Sequence, residues 1–216
     1  MSFDPVEDKI VPKPLSILGK IIKYGFLAVL AIMIAWLSLR SCYQDGTAKM
    51  KKYMWTEKAV EAGKNGELTV KRLTEYQDPK LSSLFFISRI YHTEEIGQLQ
   101  FMIRYNTLNQ DYKDMLDDDG KAEFVFELTD NEGTHYTKYQ YITDSALMYK
   151  YFRIAFEDVE LSYLSQLHLK IYLVTDNGDV HVGSCIVWEK DVPVRDYDPG
   201  KASAAHSEIK YGEKTE

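Results

Sequence analysis

At 216 residues the chain has room for one ordinary domain with flanks, and its formal net charge of -7 at pH 7 excludes a general nucleic-acid binder, whose surface must be basic enough to neutralise phosphates. Two cysteines cannot supply a disulfide framework, so a domain built from this chain depends on its core. Sixteen tyrosines, with many Thr, Val, Ile and Phe, tilt the composition towards strands.

Residues 1–16 carry Pro5, Pro12 and Pro14 among mixed charges without apolar periodicity, the signature of a disordered N-terminal tail. Residues 17–41 predict a transmembrane helix, so the lipid bilayer is the first expected partner. Residues 21–39 cover roughly 28 Å at helical rise, close to a hydrocarbon core, and no formal charge occurs between Tyr24 and Leu39. Lys20 and Lys23 flank one end and Arg40 the other, while Tyr24, Trp36 and Tyr43 fall near the two interfaces, where amphipathic rings collect. Asp4, Glu7 and Asp8, and the lack of a small-x-small site after the apolar run, disfavour a cleaved secretory signal. Leu39-Arg40-Ser41-Cys42 looks like a bacterial lipobox, but Arg40 stands where a small or apolar residue is wanted, and an uncleaved single-pass anchor is the expectation. Basic residues nearly balance across the span. Lys20 and Lys23 lie closest to it, which favours the N-terminus inside and an extracytoplasmic C-terminal domain.

Residues 42–65 predict a juxtamembrane helix or linker, with 47–62 as a helix of about four turns ended by Gly63, Asn65 and Gly66. Two placements fit it: Met50, Met54 and Trp55 packed on the domain, or Lys49, Lys51, Lys52 and Lys58 laid towards lipid headgroups.

From Gly66 the apolar period changes to two, and residues 66–191 predict one domain. A short strand at 68–73 and a turn over 77–83 lead to 84–92, which is apolar on both faces. Residues 98–106 alternate most clearly, with Leu99, Phe101, Ile103 and Tyr105 on one side and Gln98, Gln100, Met102 and Arg104 on the other, as in a half-buried antiparallel strand. Residues 122–129 and 135–142 form a hairpin around the turn at Asp130, 151–156 is a further strand, and a second hairpin joins 167–173 to 180–188 through Asn177-Gly178. Residues 192–216 lose the pattern and predict a flexible C-terminal tail.

About eight strands and few helices predict a mainly β chain, a single antiparallel β-sandwich preceded by the transmembrane and juxtamembrane helices. The layout is similar to immunoglobulin-like and fibronectin-like modules, without the Cys and Trp spacing of antibody domains, and a likeness at fold level transfers no activity.

No Gly-x-Ser-x-Gly, His-Glu-x-x-His, phosphate loop or dinucleotide fingerprint occurs, so neither an enzyme nor a cofactor is expected. The five histidines are scattered, and simple hairpin pairing places His135 opposite Leu128 and His181 opposite Val174, so no two-histidine metal site emerges. Asp114, Asp117, Asp118 and Asp119 form the one candidate calcium loop, although the EF-hand pattern fails because Met115 and Phe126 would fill its first and last ligand positions. The other candidate is aromatic. His135, Thr137, Tyr139 and Tyr141 share one strand face, which would make a platform for sugars or protein partners if exposed. The function expected is a non-catalytic protein-interaction or structural module at the cell envelope, with an unidentified protein partner. The alternative is a cell-surface glycan- or peptide-binding domain using the tyrosine face.

Overall fold

The computed structural model describes residues 13–66, 68–73 and 84–215, except for the side chains of 13–16 and 42–46. Of the tail expected at 1–16, residues 1–12 lie outside the described residues, as do the turn expected at 77–83 and the Cys42 and Tyr43 side chains, whereas 13–16 are not a disordered tail but the start of a helix. Met1–Gln44 and Asp45–Glu216 are two separate compact units.

The described residues of the first unit are helical. Helix α1 runs Lys13–Met50, and within it Ile17–Ser41 is long and apolar enough to cross a membrane, with none of its apolar window buried. Ile21, Phe26 and Ile32 are 62%, 67% and 69% exposed, and so uniform an apolar surface is stable only against lipid or another apolar body. Lys20, Lys23 and Tyr24 are exposed near the start of this window, and Arg40 lies over the Trp36 ring, 5.2 Å from its centroid, near the end.

In the second unit, α2 (Glu57–Asn65) is followed, among the described residues, by eleven strands. They are β1 (Val70–Leu73), β2 (Phe85–Thr93), β3 (Gln98–Asn106), β4 (Phe124–Asp130), β5 (His135–Tyr136), β6 (Lys138–Ala146), β7 (Tyr149–Phe156), β8 (Gln166–Leu173), β9 (Val180–Glu189), β10 (Val194–Tyr197) and β11 (Lys210–Glu213), with a short helix α3 (Gln110–Lys113) between β3 and β4. A seven-stranded sheet has the order β10-β1-β2-β3-β7-β6-β11, a four-stranded sheet the order β5-β4-β8-β9, and every pairing is antiparallel. The chain is therefore mainly β behind an apolar helix. Alternation supplies one core for both sheets: Phe85, Phe101, Ile103 and Phe156 of the larger meet Phe126, Leu128, Leu169 and Ile171 of the smaller.

Three expectations are corrected. Residues 135–142 do not form one returning strand. His135 and Tyr136 pair with β4, after which the chain changes sheets at Thr137 and continues as β6 beside β7. The switch carries the Tyr139 ring between the sheets, against Phe126 at 5.5 Å and Phe156 at 5.3 Å between centroids. In the second hairpin, Asn177-Gly178 is not a two-residue turn. Thr175 closes it, its Oγ1 donating to the Gly178 carbonyl (2.6 Å) and its own carbonyl accepting the Gly178 N–H (3.0 Å), so the last pair is Leu173 with Val180 and His181 faces Tyr172 rather than Val174. His135 likewise faces Thr129 rather than Leu128. Finally, the stretch read as a flexible tail contains β10, paired with β1, and β11, paired with β6.

Edge strand β11 depends on one residue without a side chain. A Cβ at Gly212 would occupy the space of the Tyr139 ring. Gly212→Ala is expected to cost about 1–3 kcal/mol through overpacking, read as a lower thermal midpoint, whereas Gly133→Ala, on a turn and facing open space, is expected to report only its backbone strain.

Candidate functional site

The proposed aromatic platform does not assemble. Tyr139 is 3% exposed and belongs to the core, Tyr141 is half-buried beside Phe152 at 6.0 Å, and His135 and Thr137 stay at the sheet switch, His135 on the opposite sheet from the two tyrosines. Burial pushes the Tyr139 hydroxyl pKa far above its ordinary value, and it raises that of Tyr141 to a lesser degree, helped by the Glu123 charge.

His135 has a different partner. Phe124, Phe126 and Leu128 point into the core, so Glu127 projects from the outer face of the smaller sheet, yet its side chain is only 4% exposed. It accepts from His135 Nδ1 and from Thr129 Oγ1 at 3.1 Å, and the ammonium groups of Lys214 and Lys170 lie at 3.6 and 3.9 Å. Burial alone would raise its pKa, but hydrogen bonds from His135, Tyr172 and Thr129, with the charge of Lys170, bring it below the usual carboxylate value. The Tyr172 hydroxyl beside it is pushed up to about 12 by burial and the neighbouring carboxylate. Lys214 also covers the Tyr172 ring at 4.6 Å, so this carboxylate fastens the end of the chain to the smaller sheet.

The candidate calcium loop closes on itself. Asp117 accepts the Lys121 N–H through Oδ1 at 2.7 Å and the Gly120 N–H through its carbonyl at 2.9 Å, Asp114 accepts from Gln110 Nε2 at 2.7 Å, and Asp119 is 3.8 Å from the Lys121 ammonium. Asp114, Asp117, Asp118 and Asp119 thus do not converge, and among the described residues no group of three or more His, Cys, Asp or Glu is arranged to hold a metal ion.

The same loop walls a groove of about 830 Å³ at one end of the two sheets. Its apolar side comes from Phe124, Tyr141, Phe152 and Leu173, and its rim carries Asp117, Asp118, Glu123 and Asp176 against Lys121, Lys150 and Lys210. The Val174 N–H donating to the Glu123 carbonyl at 3.0 Å ties the two loops that form the rim. In comparisons with family models, curated proteins and solved structures, none matches this chain. Its geometry must therefore speak for itself. A smaller pocket of about 420 Å³ includes His92, whose Nε2 donates to the Val159 carbonyl at 3.1 Å and whose pKa is lowered by burial.

The strongest polar construction was not legible as a site. Gln98 and Gln100 look like the solvent side of a half-buried strand, but they are 2% and 1% exposed because residues 51–56 lie across them. The Gln100 carboxamide holds both backbone groups of Met54: Oε1 accepts its N–H and Nε2 donates to its carbonyl, each at 2.9 Å. Tyr91 donates to the Lys51 carbonyl at 2.7 Å, Arg153 to those of Lys52 at 3.2 Å and Tyr53 at 3.4 Å, and Tyr53 meets Thr93 at 2.9 Å between hydroxyls. This explains why 47–62 is not one helix. The sheet takes the backbone groups that would continue it, and Thr56 then starts α2 by accepting the Ala59 N–H.

Gln100→Leu leaves two buried Met54 backbone groups unpaired and is expected to cost about 2 kcal/mol or more, seen in denaturant unfolding together with faster tryptic cleavage after Lys51 and Lys52. Because the pKa of Glu127 is lower folded than unfolded, its stabilisation is present above the ordinary carboxylate value of 4.5 and disappears as pH falls through the depressed folded value. Glu127→Gln should therefore lower the thermal midpoint at neutral pH and narrow its gap from the parent below about pH 4.5, measured by melts across that range.

Proposed function

We propose that this chain is a single-pass membrane protein presenting one β-sandwich as a non-catalytic interaction module, with the groove of about 830 Å³ as the seat of a protein partner. One observation carries the proposal: the groove combines an aromatic wall with a rim of both charge signs, beside loops closed by their own hydrogen bonds, which suits recognition of a polypeptide more than bond-breaking chemistry. Ile17–Ser41 supports the anchor, and the lysines closest to its start support an N-terminus inside with the domain on the extracytoplasmic side. Two antiparallel sheets over a shared core support the likeness to immunoglobulin-like and fibronectin-like sandwiches, and the division into seven and four strands is its departure from that layout.

A glycan- or peptide-binding reading retains one specific support, since half-buried Tyr141 and Phe152 line the groove and offer ring faces. A photo-crosslinking residue at Thr143 or Asp176 of the full-length protein in its native membrane should trap a protein partner, while one at Glu132, away from the groove, should not. Crosslinks from Glu132 alone would move the interface elsewhere, and capture of glycan without protein at Thr143 would favour the second reading. Protease added to intact cells should remove the domain; cleavage only in broken cells would reverse the orientation.

A further inference from the structure

The strap that covers the larger sheet has a direction. Thr47 meets the Tyr151 hydroxyl at 2.8 Å, the Lys52 and Tyr53 carbonyls meet Arg153, Met54 packs on Ala155, and Lys58 pairs with Glu157 at 2.9 Å. The chain from 47 to 58 thus ascends alongside β7. Followed backwards from Thr47, it heads for the start of β7 and the β6–β7 turn at Leu147 and Met148. Five residues lie between Ser41, the end of the spanning stretch, and Thr47, so six residue-to-residue steps make a tether of at most about 22 Å whatever path it takes. The turn extends about 13 Å beyond Tyr151 in that same direction, a length shorter than the tether's limit.

The composition of this tip is unusual for a loop in water. Leu147 and Met148 are 52% and 38% exposed, and Leu108, 62% exposed, is brought alongside because the Thr107 N–H and hydroxyl both donate to the Met148 carbonyl, at 2.8 and 3.0 Å. Leu147 holds a φ of 55°, the left-handed region where a tight turn ordinarily takes Gly or Asn. An exposed leucine in a backbone state that disfavours leucine indicates that the side chain itself is wanted there. Lys49 and Lys150 stand close by, suited to the headgroup layer.

We infer that Leu108, Leu147 and Met148 form a second, shallow membrane contact, dipping into the interfacial layer of the same bilayer that holds the chain's anchor and so fixing the tilt of the domain. The inference rests on the anchor proposed above. To test it, the full-length protein, with Cys42→Ser and Cys185→Ser, is reconstituted in phosphatidylcholine nanodiscs with an environment-sensitive dye on a single cysteine at Met148→Cys, Ala28→Cys or Ser162→Cys, the last at the opposite end of the sheets. Lipids brominated near the headgroup should quench the Met148 label severalfold more than the Ser162 label, and lipids brominated deep in the chains should quench the Ala28 label. Adding Leu147→Asn, which suits the left-handed turn, should preserve the thermal midpoint and weaken the quenching at Met148. A Met148 label that is quenched no more than Ser162 overturns the inference while a quenched Ala28 label leaves the anchor standing. A Met148 label that is shielded from water but not quenched by lipid assigns the tip to a protein contact and overturns it equally. An unquenched Ala28 label removes the anchor and this inference with it.

Discussion

The carboxamide of Gln100 pairing with both backbone groups of Met54 is the contact on which the arrangement of the second unit rests. A strand lying across the outer face of a sheet would ordinarily leave its own N–H and C=O groups buried without partners, a cost of kilocalories per group. Here the sheet supplies the missing partners from its side chains: Gln100, Tyr91 and Arg153 each answer a backbone group of residues 51–54. With those needs met, Met50, Tyr53, Met54 and Trp55 bury their apolar area on a surface that would otherwise face solvent. The segment next to the apolar helix thereby becomes part of the domain's fold.

Burying Arg153 under this strap has its own electrostatic consequence. The side chain is 4% exposed, and burial lowers its pKa while the charges of Glu208 and Asp144 oppose that shift. A guanidinium remains charged through such a shift, so it must be satisfied in place, and the Lys52 and Tyr53 carbonyls do part of that. Glu127 on the smaller sheet is treated alike, with opposite sign, by His135, Lys170 and Lys214. Both buried charges pin a chain segment that lies outside the two main ladders, one near each end of the second unit.

The change of sheet at Thr137 decides what the surface offers. Had residues 135–142 continued as one strand, His135, Tyr139 and Tyr141 would have shared a face; the switch sends the tyrosines inward and leaves His135 to pair with Glu127. An alternating pattern is the same on either side of such a switch, so nothing in residues 135–142 announces it. The acidic run behaves comparably. Asp114, Asp117 and Asp119 look like a ligand set in one dimension, but each finds its partner within a few residues, and Asp114 and Asp117 wall a groove instead.

What the amino-acid order determined by itself is what local spacing can encode: an apolar run long enough to cross a membrane, the inward residues of β3, β4 and β8, and the absence of sequence motifs for catalysis. Tertiary structure decided which body covers each face. The polar side of β3 is buried because the strap lies on it, and β10 and β11 exist because β1 and β6 lend their edges, through backbone ladders that leave almost no side-chain signature. The reason is physical. A period of two states which residues point the same way, whereas what they point at depends on segments tens of residues distant, as Met54 and Gln100 are.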